Sequence, residues 1–224
     1  MHVSLLSIPV IPLVSLADRA WENKDPREEL LAAAIDLFAR YGYEPVSTGQ
    51  IAAAAGLTQS MVHYHFGKKS RLWKAAIERL MHERGLVFPI GRLNLQDLDP
   101  LARLKVIIRK FLSANTADPN LNRILMHEGM VRSARLRWLV RRYMVAGYRL
   151  FDSAIQEAID AGAIRPLPVA DVTNIIVSAC TMTSSLNILI QEVYDTDITK
   201  DEFVSSFGDS IIEVLFKGLE LRRK

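Results

Sequence analysis

Residues 46–69, VSTGQIAAAAGLTQSMVHYHFGKK, constrain the fold of this chain more than any other segment. Ser47 is followed three residues later by Gln50, which matches a capping box and predicts that a helix begins near Thr48. A run of four alanines then gives this helix small side chains that a second helix can approach closely. Gly56 can adopt the positive φ that ends the helix. The segment therefore predicts two short helices joined by a tight turn, the helix-turn-helix arrangement.

The second short helix has the pattern of a helix that reads DNA. Thr58 can serve as its N-cap, and Val62 and Phe66 have the spacing of residues that face inward. The predicted reader helices span residues of about 48–55 and 58–65. A recognition helix enters the major groove with its N-terminal residues toward the base edges, and small polar groups occupy that end here.

Other polar side chains of this segment suit the phosphate backbone. Thr48 lies at the predicted N-terminus of a helix, where an anionic oxygen is stabilised by free N–H groups. Side chains that can donate to phosphates follow further along the chain, at His63, Tyr64, Lys68 and Lys69.

The chain resembles the N-terminal domain of the tetracycline-repressor (TetR) family of transcriptional regulators over residues of about 25–80. Four pieces carry the resemblance in order: LLAAAIDLFARYGYEPVST, the IAAAAGL turn, the YHF segment and the helix GKKSRLWKAAIERL. The resemblance implies base-facing positions at Gln59, Ser60 and Met61. It implies phosphate contacts at Thr48, His63, Tyr64, His65 and Lys69.

Two residues depart from the family pattern. His63 stands where the family usually has a tyrosine, so its phosphate contact is expected to be weaker or to depend on pH. Gly49 stands where many members carry a polar residue, which removes one candidate base contact from the first reader helix.

Other classes of function remain open from the residues alone. The segment would also suit an ordinary helical hairpin whose histidines and tyrosine lie on a solvated face. An enzyme would require a nucleophile with a base, a glycine-rich phosphate loop or spaced metal ligands, and none is readable here. A helical protein-interaction adaptor is the third class. We expect no enzymatic activity, no cofactor and no metal site.

Composition limits the possibilities without deciding among them. The chain has 224 residues, enough for one or two domains with a substantial core. Its net charge of +3 is too small to indicate nucleic-acid binding by itself. The single cysteine, Cys180, excludes an intramolecular disulfide, and no charge-free run reaches membrane-spanning length. These features predict a cytoplasmic protein that does not bind membranes.

Composition and the positions of proline and glycine divide the chain into three predicted parts. Residues 1–24 are apolar at their start, contain two prolines and lack a basic start, which predicts a flexible or partner-bound extension rather than a signal peptide. Residues 25–87 form the predicted DNA-binding domain, and residues 88–224 form a domain for effector binding and dimerisation. The linker between them is LVFPIGRLNLQDLDP, which glycine and proline interrupt.

The second domain is predicted to be entirely helical. Asp-Pro pairs predict helices over about 100–115 and 119–131, and further helices are expected over about 132–161 and 169–193. Thr199 and Glu202 suggest a capping box for the last helix. The fold class is therefore all-α, with a three-helix DNA-binding domain, a C-terminal helical domain and about nine helices in total.

The last two helices are more apolar than one buried face requires. This pattern indicates a homodimer in which both helices pack against a second copy, as in the TetR family; a monomer that buries them in its own core is the alternative. Candidate interface residues are Ile176, Cys180, Phe203, Phe207, Ile211 and Leu215. Two reader helices related by a two-fold axis would meet successive major grooves about 34–36 Å apart, so the operator should be an inverted repeat.

The family resemblance implies a cavity for a small effector among the middle helices. Apolar side chains with a few polar groups are the usual lining of such sites. The candidates are Met126, His127, Met130, Trp138, Tyr143, Tyr148, Phe151, Met182, Asn187 and Gln191. Adjacent His127 and Glu128 make a poor metal site because they point in different directions on a helix.

A concentrated basic run lies in the same region. Its six arginines could form a solvated helix face, bind an anionic effector such as an acyl-CoA, or contact a partner. They are Arg132, Arg135, Arg137, Arg141, Arg142 and Arg149. Taken together, the sequence predicts a ligand-responsive regulator, most simply a repressor that a small molecule releases from DNA, with an activator of the same fold as the alternative.

Overall fold

The structure is a computed structural model that describes residues 25–87, 95 and 97–219. The predicted extension over residues 1–24 and most of the linker lie outside the described residues. Eleven α-helices and one π-helical turn make up the secondary structure of the described part, which contains no strand. The predicted all-α fold is confirmed.

Four helices form the N-terminal part of the described chain. They are α1 (Pro26–Tyr41), α2 (Thr48–Ala54), α3 (Gln59–Phe66) and α4 (Lys69–Val87). Asp25 caps α1 by accepting from the backbone N–H of Arg27 at 2.9 Å. Both reciprocal hydrogen bonds of the Ser47–Gln50 capping box are formed at the start of α2. Local sequence signals therefore set the ends of these helices.

Seven further helices form the rest of the described chain. They are α5 (Pro100–Ala117), α6 (Asn120–Gly129), α7 (Ala134–Leu139), α8 (Val145–Asp160), α9 (Val169–Ser185), α10 (Asn187–Tyr194) and α11 (Asp201–Leu219). A π-helical turn over Val140–Met144 joins α7 to α8. The helix predicted over 132–161 is therefore interrupted, and the helix predicted over 169–193 bends by 72° between α9 and α10.

The predicted capping box at the start of the last helix is wrong. The Thr199 hydroxyl donates to Oδ1 of Asp197 at 2.7 Å, and the Thr199 backbone N–H donates to the same oxygen at 3.0 Å. These bonds lower the pKa of Asp197. Thr199 thus closes a local turn instead of capping α11, which begins two residues later.

Two clusters of buried residues organise the packing. The first fills the space between α1, α2, α3 and α4, and the second lies among α5, α8, α9 and α11. Leu121 and Ile124 of α6 and Leu139 of α7 belong to the first cluster. Helices of the second part of the chain therefore complete the core of the first, so the two parts meet in a packed contact.

No single helix in the described part is long and apolar enough to cross a membrane. The bent pair α9 and α10 meets the length and composition criteria only when its two helices are taken together.

Candidate nucleic-acid interface and ligand cavity

The helix-turn-helix presents a polar surface at the start of α3. Gly56 ends the turn with φ of +69°, and Thr58 occupies the N-cap position of α3. The Thr58 hydroxyl bonds to that of Ser60 at 2.8 Å rather than to a backbone N–H. Gln59 and Ser60 are exposed, and 81% of Tyr64 is exposed. These side chains are therefore free to contact the groove of a DNA duplex.

Gln59 is held in place by a contact between the two reader helices. Its Nε2 donates to Oγ1 of Thr48 at 3.0 Å. The carboxamide lies beside Gly49, because a Cβ built there would be 3.6 Å from Oε1 of Gln59. One amide hydrogen and Oε1 remain available, and this donor and acceptor pair is the pattern that glutamine uses to read adenine.

Three of the proposed phosphate contacts have partners or surroundings within the protein. His63 Nδ1 lies 3.0 Å from the carbonyl oxygen of Gly67, to which it can only donate. A neutral His63 ring then offers an acceptor at Nε2, so a phosphate contact there requires the protonated ring. His65 packs between the neighbouring rings of Tyr64 and Phe66, and its buried Nε2 has no hydrogen-bond partner in the described part of the chain. His65 therefore does not present this nitrogen to solvent.

Lys69, the third of these residues, belongs to a junction centred on Tyr43. Its Nζ lies 4.1 Å from the centroid of the Tyr43 ring and donates to the carbonyl oxygen of Glu44 at 3.2 Å. Burial lowers the pKa of Lys69. Exposed Lys68 has no such contact among the described residues and is the better candidate for a phosphate. Met61 is half-buried and packs against the N-terminal core, which limits its reach toward a base.

Arg135 of α7 closes the same junction from the second part of the chain. The guanidinium carbon lies 3.8 Å from the centroid of the Tyr43 ring. Arg135 also donates to Glu128 at 2.8 Å and to Glu44 at 2.9 Å. Burial alone would lower the pKa of Arg135, but hydrogen bonds and attraction from both carboxylates raise it. The loop before α2 is thus tied to α6 and α7 by ionic and cation–π contacts.

Gly42 marks a second contact across this junction. It ends α1 with φ of +78° and ψ of 179°, a conformation almost restricted to glycine. A Cβ built on Gly42 would lie 3.3 Å from Cγ and Nδ1 of His127 in α6. His127, which the sequence predicted to line the effector cavity, therefore faces the DNA-binding domain.

We expect Gly42→Ala to lower the free energy of unfolding by about 1–3 kcal/mol, because the substitution combines backbone strain with a tight contact to His127. Thermal or urea unfolding of the purified chain would measure the change. Gly56→Ala is the matched control, since Gly56 has a positive φ but a Cβ there meets nothing within 4 Å. A Gly42→Ala protein no less stable than Gly56→Ala would show that the His127 contact adds nothing.

A cavity of about 740 Å³ lies among α4, α5, α6, α8 and α9 and the π-helical turn. Its wall is mainly apolar and aromatic, with a few polar and charged groups. Five of the ten predicted lining residues are part of the wall: Met126, Tyr143, Tyr148, Phe151 and Met182. The size and character of this cavity match those of small-molecule sites.

The other five predicted residues lie elsewhere. His127 contacts Gly42, and Trp138 packs against Trp73 and Tyr143 near the N-terminal core. Met130 and Gln191 are exposed, and Asn187 accepts a hydrogen bond from Arg123.

Sequence reasoning missed several polar residues of the wall, of which Arg84 is the most unusual. Arg84 continues the buried face of α4 that Trp73, Ile77 and Leu80 define at helical spacing. An arginine at a core position of an amphipathic helix is the signal that could have identified it. Asp152 and Thr181 are further polar wall residues.

The predicted interface residues divide into two groups. Ile176, Cys180 and Ile211 are buried in the core of the chain itself, which raises the pKa of the Cys180 thiol to about 12. Their burial does not agree with a position at a surface contact. Phe203, Phe207 and Leu215 are half-buried. Exposed apolar side chains on the same helices include Ile175 at 53% and Val214 at 73%.

The basic run does not act as one surface. Arg135 belongs to the Tyr43 junction, Arg149 lines the main cavity, and Arg132 is exposed. The remaining three arginines and Trp138 surround a separate open depression of about 460 Å³: Arg137, Arg141 and Arg142. No group of three or more potential metal ligands occurs among the described residues.

Comparison with known proteins gives matches to both parts of the chain. Residues 30–76 match the family model for bacterial regulatory proteins of the tetR family. Residues 100–215 match the model for the tetracyclin repressor-like C-terminal domain. Both models describe regulatory proteins rather than enzymes.

One similar protein of known role is the nucleoid occlusion factor SlmA of Escherichia coli. It is 29% identical over 124 residues, which are 54% of this chain and 62% of SlmA. The match thus covers less than two thirds of that relative.

Solved structures share the fold over most of the chain. The ketosteroid transcriptional regulator KstR2 of Mycobacterium tuberculosis has a TM-score of 0.69 at 17% identity, covering 90% of this chain and 98% of KstR2. AibR, in complex with isovaleryl coenzyme A and operator DNA, has a TM-score of 0.69 at 19% identity, covering 86% and 98% of the two chains.

Proposed function

The chain belongs to the TetR family of bacterial transcriptional regulators, and we propose that it binds an inverted-repeat operator as a homodimer and releases it when a small molecule fills the cavity. Such a protein acts on chromosomal DNA in the cytoplasm. The structural likeness to AibR, which was solved with isovaleryl coenzyme A and operator DNA, supports both halves of the proposal.

The position of α6 is the observation that carries this proposal. Leu125, Met126 and Gly129 of α6 line the cavity. On the same helix, His127 contacts Gly42 and Glu128 binds Arg135, which reaches the loop before α2. A molecule that shifts α6 must therefore change the contacts that hold the reader helices.

Linkage then gives the direction of control. A ligand that binds better to a conformation in which the two readers no longer match the operator weakens DNA binding, and DNA weakens ligand binding by the same factor. Occupation of a promoter by the ligand-free dimer would block transcription, so repression is the simplest outcome. An activator of the same fold would instead lose transcription when its operator is deleted.

The proposed DNA contacts follow from the exposed residues of α3 and the turn after it. Gln59 and Ser60 read base edges, while Tyr64 and Lys68 contact phosphates. Thr48 positions Gln59 and contacts a DNA phosphate at the start of α2. His63 adds a phosphate contact when its ring is protonated, and Lys69 supports the loop through Tyr43 instead of reaching DNA.

Exposed and half-buried residues define the proposed dimer contact. On α11, Phe203, Phe207, Ser210 and Val214 follow one another at spacings of four, three and four residues and share one side of the helix. Phe203 and Phe207 stack at 5.4 Å between ring centroids. We propose that this side of α11, with Ile175 of α9, packs against its copy in a second subunit.

The function is tested by titrating the purified chain against DNA from immediately upstream of its coding sequence. Fluorescence anisotropy at two salt concentrations, with unrelated DNA as competitor, would give the specificity ratio. Tight binding that resists competitor supports a local operator. Binding that is weak and equal for all DNA, both there and in a genome-wide selection for bound fragments, would contradict the proposal.

Two substitutions in α3 and the following turn should have different effects on DNA binding. Gln59→Ala is expected to reduce the preference for one base in each half-site by about 1–3 kcal/mol. Lys68→Ala is expected to weaken binding to all sequences and to reduce the salt slope by about one per subunit. Anisotropy titrations against single-base variants of the operator would measure both. Equal losses of specificity from the two substitutions would contradict these roles.

A further inference from the structure

Arg84 places a positive charge in the wall of a mainly apolar cavity. It lies on α4 beside Met81 and Gly85, opposite Phe111 and Leu125, all of which line the same space. The guanidinium carbon is 5.3 Å from the centroid of the Phe111 ring. A guanidinium in such surroundings has lost much of its hydration and requires compensation.

The protein provides only part of that compensation. Arg84 donates to Oδ1 of Asn115, which also accepts from Nδ2 of Asn122 at 2.8 Å. No carboxylate of the described residues lies within ion-pair distance of Arg84. Burial lowers the pKa of Arg84 to about 10, against a weaker opposing attraction from Asp118.

The other charged groups of the wall do not compensate the charge of Arg84. Asp152 accepts a hydrogen bond from Thr173 at 2.6 Å. Arg149 adds a second positive charge and is exposed at the surface. The two arginines and one aspartate therefore give the wall a net positive charge. Most of the N–H donors of the Arg84 guanidinium have no partner among the described residues.

We propose that the effector is an amphipathic anion, with an apolar body in the cavity and a single anionic group that pairs with Arg84. A carboxylate or sulfonate can accept two parallel hydrogen bonds from a guanidinium, and such charge-assisted pairs are the strong ones. The aliphatic and aromatic wall suits the apolar body. This inference rests on the proposed function in taking the cavity as the effector site.

The position of Arg84 also connects the anion to the reader. Arg84 is fifteen residues after Lys69 on α4, so the anion would act about 22 Å along the helix from the Tyr43 junction. One end of α4 packs into the core of the DNA-binding domain, and the ion pair would form at the other end. The ion pair can therefore change the orientation of the DNA-binding domain relative to the second domain. Binding and release of DNA would then be linked through α4 as well as α6.

The test compares dodecanoate with dodecanol, which has the same chain length but no charge. Isothermal titration calorimetry of the purified full-length protein would give both dissociation constants. We expect dodecanoate to bind at least about tenfold more tightly than dodecanol. Equal affinities for the acid and the alcohol would overturn the proposal.

Variants assign the difference to Arg84. In Arg84→Gln the preference for the acid should be lost, while Arg84→Lys should restore part of it. Lys110→Gln removes one positive charge from an exposed position of α5 and should leave the preference unchanged. Loss of preference in Lys110→Gln to the same extent as in Arg84→Gln would show a general charge effect and overturn the assignment.

Anisotropy with operator DNA separates this inference from the proposed function. Release of DNA by dodecanoate from the wild type but not from Arg84→Gln supports both. Tight, Arg84-dependent binding of dodecanoate that leaves DNA affinity unchanged would support the anion site and contradict effector control. Release of DNA by dodecanol as effective as release by dodecanoate would support effector control and contradict the anion site.

Discussion

Replacing Arg135 with methionine should lower the free energy of unfolding by about 3–5 kcal/mol. The reason is Glu128, of which only 4% is exposed. Its Oε1 accepts from Arg135 at 2.8 Å and its Oε2 accepts from Ser133 at 3.0 Å. Methionine keeps an apolar stem against the Tyr43 ring but leaves a buried carboxylate with one hydroxyl partner. Urea unfolding at neutral pH would measure the loss.

Two companion proteins make this prediction specific. Arg137→Met removes an exposed arginine from the same helix and should change stability by no more than about 0.5 kcal/mol. The double variant Arg135→Met with Glu128→Leu removes both charges and should recover part of the stability, because a buried pair costs desolvation that an apolar pair does not. Equal losses from Arg135→Met and Arg137→Met would mean that Glu128 is not stabilised by its partner.

Features that depend on a few neighbouring residues could be predicted from the sequence. The Ser47–Gln50 capping box, the Asp25 and Asp99 caps and the positive φ of Gly56 are all observed. Each is decided by hydrogen bonds or backbone sterics within about four residues, so the local sequence contains all the groups involved. The helix-turn-helix follows from such signals.

Features that depend on packing between distant helices could not be predicted in the same way. The π-helical turn over Val140–Met144 changes the phase of the helix, so a regular period cannot carry face assignments from α7 into α8. On α9, Ile175 is 53% exposed while its neighbour Ile176 is fully buried. A helix that is apolar on several sides contains no periodic signal to distinguish these two residues.

Residues with roles inside the protein also explain two differences at the proposed DNA surface. The family resemblance implies phosphate contacts at Lys69 and His65. The structure instead stacks Lys69 on Tyr43 and buries Nε2 of His65. Tyr43 is far from Lys69 in sequence, so only the folded arrangement of α1 and α4 identifies this partner.

Val214→Glu should abolish stable dimers and tight operator binding together. Val214 is 73% exposed on the side of α11 that we propose as the subunit contact. In a two-fold symmetric interface each substitution occurs twice, so two carboxylates would have to be buried without partners. Burying these carboxylates would cost several kcal/mol, so the dissociation constant of the dimer should rise about 1,000-fold or more. Sedimentation equilibrium would measure this rise.

The choice of Val214 matters because Ile211, one turn earlier, is buried in the core of its own subunit. Ile211→Glu would unfold the subunit and could not distinguish loss of the dimer from loss of the fold. Ser205→Glu is the matched control, since Ser205 is exposed on a different side of α11. Val214→Glu should remain folded by circular dichroism but bind the operator as a weak monomer, because each subunit then meets only one half-site. A Val214→Glu protein that stays dimeric with the operator affinity of Ser205→Glu would place the subunit contact elsewhere.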